Sequence, residues 1–279
     1  MILVAGGTGR LGTLVVSQLA ERGLEVRVLT RDPIRAAHLA DVATEIATGD
    51  VRDRASIERA MDGVKTVVSA VHGFAGPGHV TPASIDRDGN ANLVDTAGAA
   101  GADVVLMSVV GVAADSPMEL FRAKNNAEEH LRASGAPWTI VRSTAFVELW
   151  AEIMEKPLVF GRGDNPINFV SVHDVAAVAV RAVVDPNLRG QILEVGGPQN
   201  LTFNELAAIL QEVRGRTRRI HHVPRSILRA MAPLARQPRA AITMDTADMS
   251  FDVTGRSDLP LTDLRTALSR VTSESNRKA

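Results

Sequence analysis

Residues 1–12 read Met-Ile-Leu-Val-Ala-Gly-Gly-Thr-Gly-Arg-Leu-Gly, an apolar run that breaks into glycines spaced by three at Gly6, Gly9 and Gly12. Ile2 to Ala5 has the length and composition of a buried strand, and the chain leaves it through a tight turn at Gly6. Gly9 removes a side chain where a pyrophosphate would approach. Gly12 lets the following helix pack close to the sheet, so that its unpaired N–H groups point at the phosphates. The strand–turn–helix setting, with a second strand about twenty residues later, is what makes the glycine spacing informative.

From this turn outward, strands and helices alternate as a parallel sheet requires. Leu11, Val15, Val16 and Leu19 recur at helical spacing from Arg10 to Arg22, and Gly23 stands at the C-cap position. Strands are expected at 26–29, 46–47, 66–71, 104–109 and 138–141. Helices are expected at 33–39, 53–61, 86–100 and 118–133, and a loop rich in Gly and Pro runs from His72 to Pro82. Six strands with intervening helices predict an α/β fold with a doubly wound parallel sheet, a Rossmann core over 1–143, whose ligand lies beyond the carboxyl ends of the strands. The remainder, 144–279, reads as a small α/β cap intertwined with that core. Its short strands fall at 158–160, 168–172, 192–195 and 220–223. Its helices fall at 147–156, 174–184, 203–213, 226–235 and 262–271, and the last seven residues read as a frayed tail.

Composition narrows the class. The chain has 279 residues, net charge −1, no cysteine and no tyrosine. Thiolate chemistry, disulfides and Cys-ligated zinc are excluded, and no metal site is expected. No apolar stretch approaches a membrane span and the first strand begins at Ile2, so a cytoplasmic protein without membrane attachment is expected. The balanced charge conceals one imbalance: Arg214 to Arg239 contains eight arginines and no acid. It could receive an anionic substrate or a partner with an acidic face; lacking aromatic residues for base stacking, it reads as a solvated basic face in preference to a nucleic-acid site.

The second strand ends Val28-Leu29-Thr30-Arg31-Asp32. An Asp or Glu at such a tip accepts from the 2′-hydroxyl of NAD, whereas Arg receives the 2′-phosphate of NADP. Arg31 favours NADP(H), with Arg10 and Arg35 within reach of the same phosphate. The competing readings are a surface pairing of Arg31 with Asp32 or Asp50, and Asp32 as a hydroxyl acceptor displaced by one residue.

These motifs, with Gly49-Asp50, the run from Lys124 through Glu128, Leu131, Ser134-Gly135, Trp138-Thr139 and Val141-Arg142, Asn168 to Ala176, and Gly196-Gly197-Pro198, resemble an atypical short-chain dehydrogenase/reductase of the NmrA-like NAD(P)H-binding branch. The similarity spans nearly the whole chain. It implies that Gly6, Thr8, Gly9, Arg10, Leu11 and Gly12 line the pyrophosphate and that Arg31 holds the 2′-phosphate. Asp50 and Val51 would meet the adenine, and the backbone of Ala70, Val71 and His72 the nicotinamide half. The superfamily's serine and lysine correspond to Ser108 and Lys124, the candidate catalytic residues, with Lys124 also contacting the nicotinamide ribose.

The departure lies four residues before Lys124, where the superfamily's Tyr-x-x-x-Lys pattern has Leu120 in this chain. A tyrosine there would lie on the same helix face as the lysine, which would depress its pKa. Without it, epimerase or dehydratase chemistry is disfavoured. Hydride transfer to a quinone or polarised enone asks less of the protein, because the cofactor carries the difficult step. The expectation is therefore an NADPH-dependent reductase of a small carbonyl, quinone or enone. The alternative is a non-catalytic NADP(H)-sensing regulator acting through a protein partner. Lys124 also admits a plain reading, as a solvated lysine paired with Glu128 at i+4.

Lesser candidates are His72 and His79 in the loop after the fourth strand, His173-Asp174 as a helix N-cap, and His221-His222, which alternate on a strand. Phe146 and Trp150 are four apart, as a wall for a flat aromatic substrate or as core packing. A homodimer through the 86–100 helix is compatible with the pattern.

Overall fold

The computed structural model describes residues 1–74, 80–233, 236–252 and 260–278. In chain order the elements are β1 (Ile2–Ala5), α1 (Arg10–Ala20), β2 (Val26–Thr30), β3 (Glu45–Thr48), α2 (Arg54–Ala60), β4 (Thr66–Ser69), α3 (Asp88–Ala99), β5 (Asp103–Val109), α4 (Glu119–Ala133) and β6 (Trp138–Ser143). They continue as β7 (Ala145–Phe146), α5 (Val147–Ile153), β8 (Leu158–Phe160), β9 (Ile167–Val170), α6 (Val172–Val184), β10 (Gln191–Val195), β11 (Asn200–Leu201) and α7 (Phe203–Val213). The last are β12 (His221–Val223), α8 (Arg225–Met231), α9 (Arg236–Met244) and α10 (Leu264–Lys278).

One compact unit comprises Met1–Arg142 with Val175–Glu194. Its centre is a seven-stranded sheet in the order β10-β6-β5-β4-β1-β2-β3. β1 lies between β2 and β4 in parallel register, with Ala5 opposite Leu29 on one side and Ser69 on the other. The order reverses at β1, so the crevice at the carboxyl ends of β1 and β4 is the topological switch point where such sheets take ligands. β1, β2 and β4 are buried throughout, as expected of strands covered on both faces. Arg27 is buried in the middle of β2. Its guanidinium donates to Glu45 and to the carbonyls of Ala60 and Asp62 at 2.7 Å, which satisfies the C-terminal end of α2.

The second unit comprises Ser143–Asp174 and Val195–Ala279. Val147, Ile167, Phe169, Phe203, Leu206, Leu210, Leu264 and Leu268 are central to its core. α7 carries a complete capping box, Thr202 to Glu205 and back. Asp245, just past α9, is buried and receives the N–H groups of Arg162 and Gly163, both at 2.9 Å, while its other oxygen accepts from Arg225 Nε.

The structure departs from the sequence pattern in specific places. The central sheet has seven strands where six were counted, because β10 joins its edge beside β6. The expected helix at 86–100 begins earlier, as a π turn over Ala83–Arg87 that runs into α3. The stretch 236–244, to which the sequence pattern assigns no element, is helical, with Pro238 tolerated in its first turn. The final residues continue α10 to Lys278 where a frayed tail was expected. α10 starts later than the pattern suggested because Asp263 caps it, its Oδ1 accepting from Thr266 N at 3.0 Å, while Thr262 N and Oγ1 donate to Asp174 at 2.8 and 2.6 Å.

Asp245→Ala leaves two backbone N–H groups and a guanidinium without their anion, and should lower unfolding free energy by about 3–5 kcal/mol in urea denaturation.

Candidate functional site

Gly6 has φ +84°, and a Cβ there would meet Ala70 O at 2.6 Å. A Cβ on Gly12 would lie 2.1 Å from Gly6 O and 2.7 Å from Gly7 Cα, so the first turn of α1 rests directly on the loop that precedes it. Gly9 is the N-cap of α1 and no side chain caps that end. Thr8 and Arg10 are half-buried at the loop, while Leu11 turns into the core beneath it. The result is a shallow cradle with backbone N–H groups at a helix N-terminus, fitted in shape and polarity to a pyrophosphate.

At the end expected to meet the adenine half, Arg31 is exposed at the tip of β2. Asp32 is engaged away from it: its carboxylate accepts from Ile34 N at 3.0 Å and caps the 3-10 turn over Pro33–Leu39. Asp50 follows β3 and is bound by Arg52, whose Nη2 donates at 2.6 Å. Burial pushes the Asp50 carboxyl up, but hydrogen bonds from the Arg52 side chain and backbone, with the charges of Arg52 and Arg31, outweigh it and hold the pKa below 3.8. Val51 is buried, and its carbonyl accepts from Asn92 Nδ2 at 2.9 Å.

At the other end, Ala70 N donates to Ala5 O at 2.9 Å, continuing the β1–β4 pairing past the end of the strand. Lys124 Nζ donates to Val71 O at 3.0 Å and Met107 O at 2.8 Å, and lies 3.0 Å from Asp86 Oδ1. Lys124 is only 4% exposed, so the solvated-lysine reading fails, and its carboxylate partner is Asp86 in place of Glu128. Glu128 is instead committed to two other groups: Ser108 Oγ donates to its Oε1 at 2.6 Å, and Arg142 grips it through Nε and Nη2 at 2.9 and 2.6 Å. Ser108 is 3% exposed. Both candidate catalytic side chains therefore already hold interior partners. His72 keeps an exposed surface. Desolvation by its crowded neighbours is the largest influence on the ring and lowers its pKa from 6.5; Asp86 pulls the other way and Lys124 adds to the lowering.

Residues 6–186 match the family described as NAD(P)H-binding. The chain belongs to that family. It is 33% identical over 223 residues to an NAD(P)H azoreductase of Xenophilus azovorans, covering 77% of this chain and 74% of the relative. It is 30% identical over 283 residues to a (4-alkanoyl-5-oxo-2,5-dihydrofuran-3-yl)methyl phosphate reductase of Streptomyces griseus, covering 94% and 96%. Among solved structures, an Escherichia coli NADPH-dependent quinone oxidoreductase complexed with NADPH superposes with a TM-score of 0.78 at 22% identity, covering 97% of this chain and 99% of that one. These relatives place this NAD(P)H-binding chain among NAD(P)H-dependent oxidoreductases.

Elsewhere in this family member, several of the lesser candidates have structural partners. Trp150 packs on Phe203 with ring centroids 4.6 Å apart, which is core packing, while Phe146 forms the N-cap of α5. Asp174 lies inside α6 and binds Thr262, so it is not the cap. The backbone at that end is met by Glu148, which accepts from Ser171 Oγ and Val172 N at 2.7 and 2.9 Å. His222 bonds Asn204 at 2.8 Å, and His221 is exposed. His79 lies outside the described residues. Of the basic stretch, Arg214 binds the carbonyls of Ala151 and Met154, Arg225 pairs with Asp245, and Arg239 donates to Ala232 O. Among the described residues no group of acids and histidines is arranged to hold a metal, and no helix is long and apolar enough to cross a membrane. The residue that sequence reasoning missed is Asp86, whose only signal was its i+4 spacing to Asn90.

Two outcomes follow from this geometry. Arg31→Ala removes a guanidinium worth about 1.5–3 kcal/mol to a charged acceptor, so the NADPH dissociation constant should rise about 10- to 100-fold by calorimetry while that of NADH hardly moves. Histidine NMR should show His72 titrating below 6.5. Because the unfolded chain then binds the extra proton first, its contribution to stability is complete above about pH 6.5 and is lost as pH falls through the window down to the lowered folded value, a slope that His72→Gln removes.

Proposed function

We propose that this protein reduces a small quinone, carbonyl or enone by hydride transfer from NADPH, the quinone class being the best fit. The observation that carries this reading is that the superfamily's acid is missing and its other two groups are engaged: the chain contains no tyrosine, and Lys124 and Ser108 are both occupied by interior partners. An acceptor that takes a hydride readily and collects its proton from water suits such a site. The reductase relatives support the catalytic reading over the sensing one.

In this proposal the bound dinucleotide supplies the hydride. Gly6, Thr8, Gly9, Arg10, Leu11 and Gly12 bind its pyrophosphate at the α1 N-terminus, where the helix dipole favours the anion. Arg31 grips the 2′-phosphate, with Asp32 withdrawn into its cap, and this selects the phosphorylated cofactor. Asp50 and Val51 border the adenine. The backbone of Ala70, Val71 and His72 flanks the nicotinamide half, and the neutral His72 ring offers one hydrogen-bond donor to an acceptor oxygen. Lys124 and Ser108 act by position, Lys124 joining the ends of β4 and β5 and Ser108 fixing Glu128.

Steady-state oxidation of NADPH with a panel of quinones, enones and unactivated ketones tests this. Turnover should be fastest with quinones, and Ser108→Ala should retain kcat to within about tenfold, whereas loss of a true general acid costs about 10²–10⁴-fold. NADPH that binds tightly and is never oxidised by any member of the panel would sink the reading.

A further inference from the structure

Asp86 is fully buried in the π turn ahead of α3. Its Oδ2 accepts from Gly73 N at 2.6 Å, and its main-chain oxygen accepts from Asn90 Nδ2 at 2.7 Å. Asn90 in turn receives Ser69 Oγ at 2.5 Å, at the end of β4. Asp86 Oδ1 lies 3.0 Å from the Lys124 ammonium but off the hydrogen-bonding direction, and is the one buried side-chain polar atom among the described residues with no hydrogen bond.

Burying two charges costs several kcal/mol per ion before their attraction is counted, and an apolar pair of similar volume is often as stable or more so. Stability is therefore a poor reason for this pair. Its geometry supplies a better one. Lys124 holds Val71 O and Asp86 holds Gly73 N, so the linked pair clamps the tripeptide Val71-His72-Gly73 at both ends, and His72 between them keeps its exposed surface. Single π turns of this kind recur at functional sites.

We propose that Asp86 is a positioning residue for hydride transfer: with Lys124 it fixes the Val71–Gly73 segment, so that the nicotinamide wall and His72 meet the acceptor in one geometry. This rests on the reductase reading above. Errors of about 1 Å in such placement cost about 10²-fold in rate.

The test uses the full chain and the double variant Asp86→Asn/Lys124→Gln, which removes both charges together and keeps polar groups of similar size. NADPH binding, the emission maximum of bound NADPH, and kcat and KM with menadione are measured for both proteins. The expected result is a folded double variant that binds NADPH within about threefold of wild type, since the phosphate cradle and Arg31 are untouched, with a shifted emission maximum and kcat lower by about 100-fold at similar KM. A folded variant with wild-type kcat, or one whose main defect is NADPH affinity, overturns the proposal. If this variant does not fold, Asp86→Leu/Lys124→Met takes its place. If neither charge-free pair folds, the ion pair is a stability element and the proposal fails. A wild-type protein inactive with every acceptor defeats the reductase reading instead; the emission maximum then decides on Asp86, an unshifted value counting against it.

Discussion

The approach of α1 to the Gly6–Gly7 backbone is the constraint on which the cofactor site depends. At 2.1 Å from Gly6 O there is no room for any side chain at residue 12, and that contact seats the helix N-terminus over the switch point between β1 and β4. The candidate phosphate side is then mostly backbone geometry, N–H groups without a side-chain cap and a left-handed turn, with the side chains of Thr8, Arg10 and Arg31 beside it. Such a cradle distinguishes little beyond charge and shape, which suits a cofactor common to many reactions.

The reacting end is built on the opposite principle. It is a set of side chains tied to one another across long stretches of sequence: Lys124 to Asp86, Ser108 to Glu128, and Glu128 to Arg142. In a low-dielectric interior such networks are rigid when their groups are satisfied, as those of the Ser108–Glu128–Arg142 set are, while Asp86 Oδ1 meets the Lys124 charge without a hydrogen bond. Their chemistry is thereby used up internally. Under the proposed reductase reading, Val71 to Gly73 and the His72 ring are the described groups left to meet an acceptor, and an electrophile needing little assistance suits them better than a sugar hydroxyl needing a base.

Legibility followed the range of the interaction. The glycine turn, the alternation of strand and helix and the arginine at the β2 tip are local patterns, and the sequence displays them directly. β10 escaped the count because an edge strand with exposed Gln191 and Ile192 reads like any cap strand, and only its partner β6 makes it part of the sheet. The tie of Thr262 to Asp174, 88 residues away, has no local signal either. Lys124 lies on the helix expected for it, and the Glu128 partner that its plain reading offered at i+4 is taken, since nothing local announces that Arg142 has already claimed that carboxylate. Asp86 looked like an ordinary acid in the first turn of a helix, and its burial comes from the π turn that carries it inward.

The chain passes between its two units three times, after Arg142, Asp174 and Glu194. A fragment ending at Arg142 would lack all of α6 and β10, and so would leave β6 as the outer strand with its edge away from β5 bare. Bare strand edges of that kind recruit other chains. Expressing the nucleotide-binding half by itself is thus a route to aggregates, and any pairing of separately made halves has to supply the 175–194 segment from the other side of the cut.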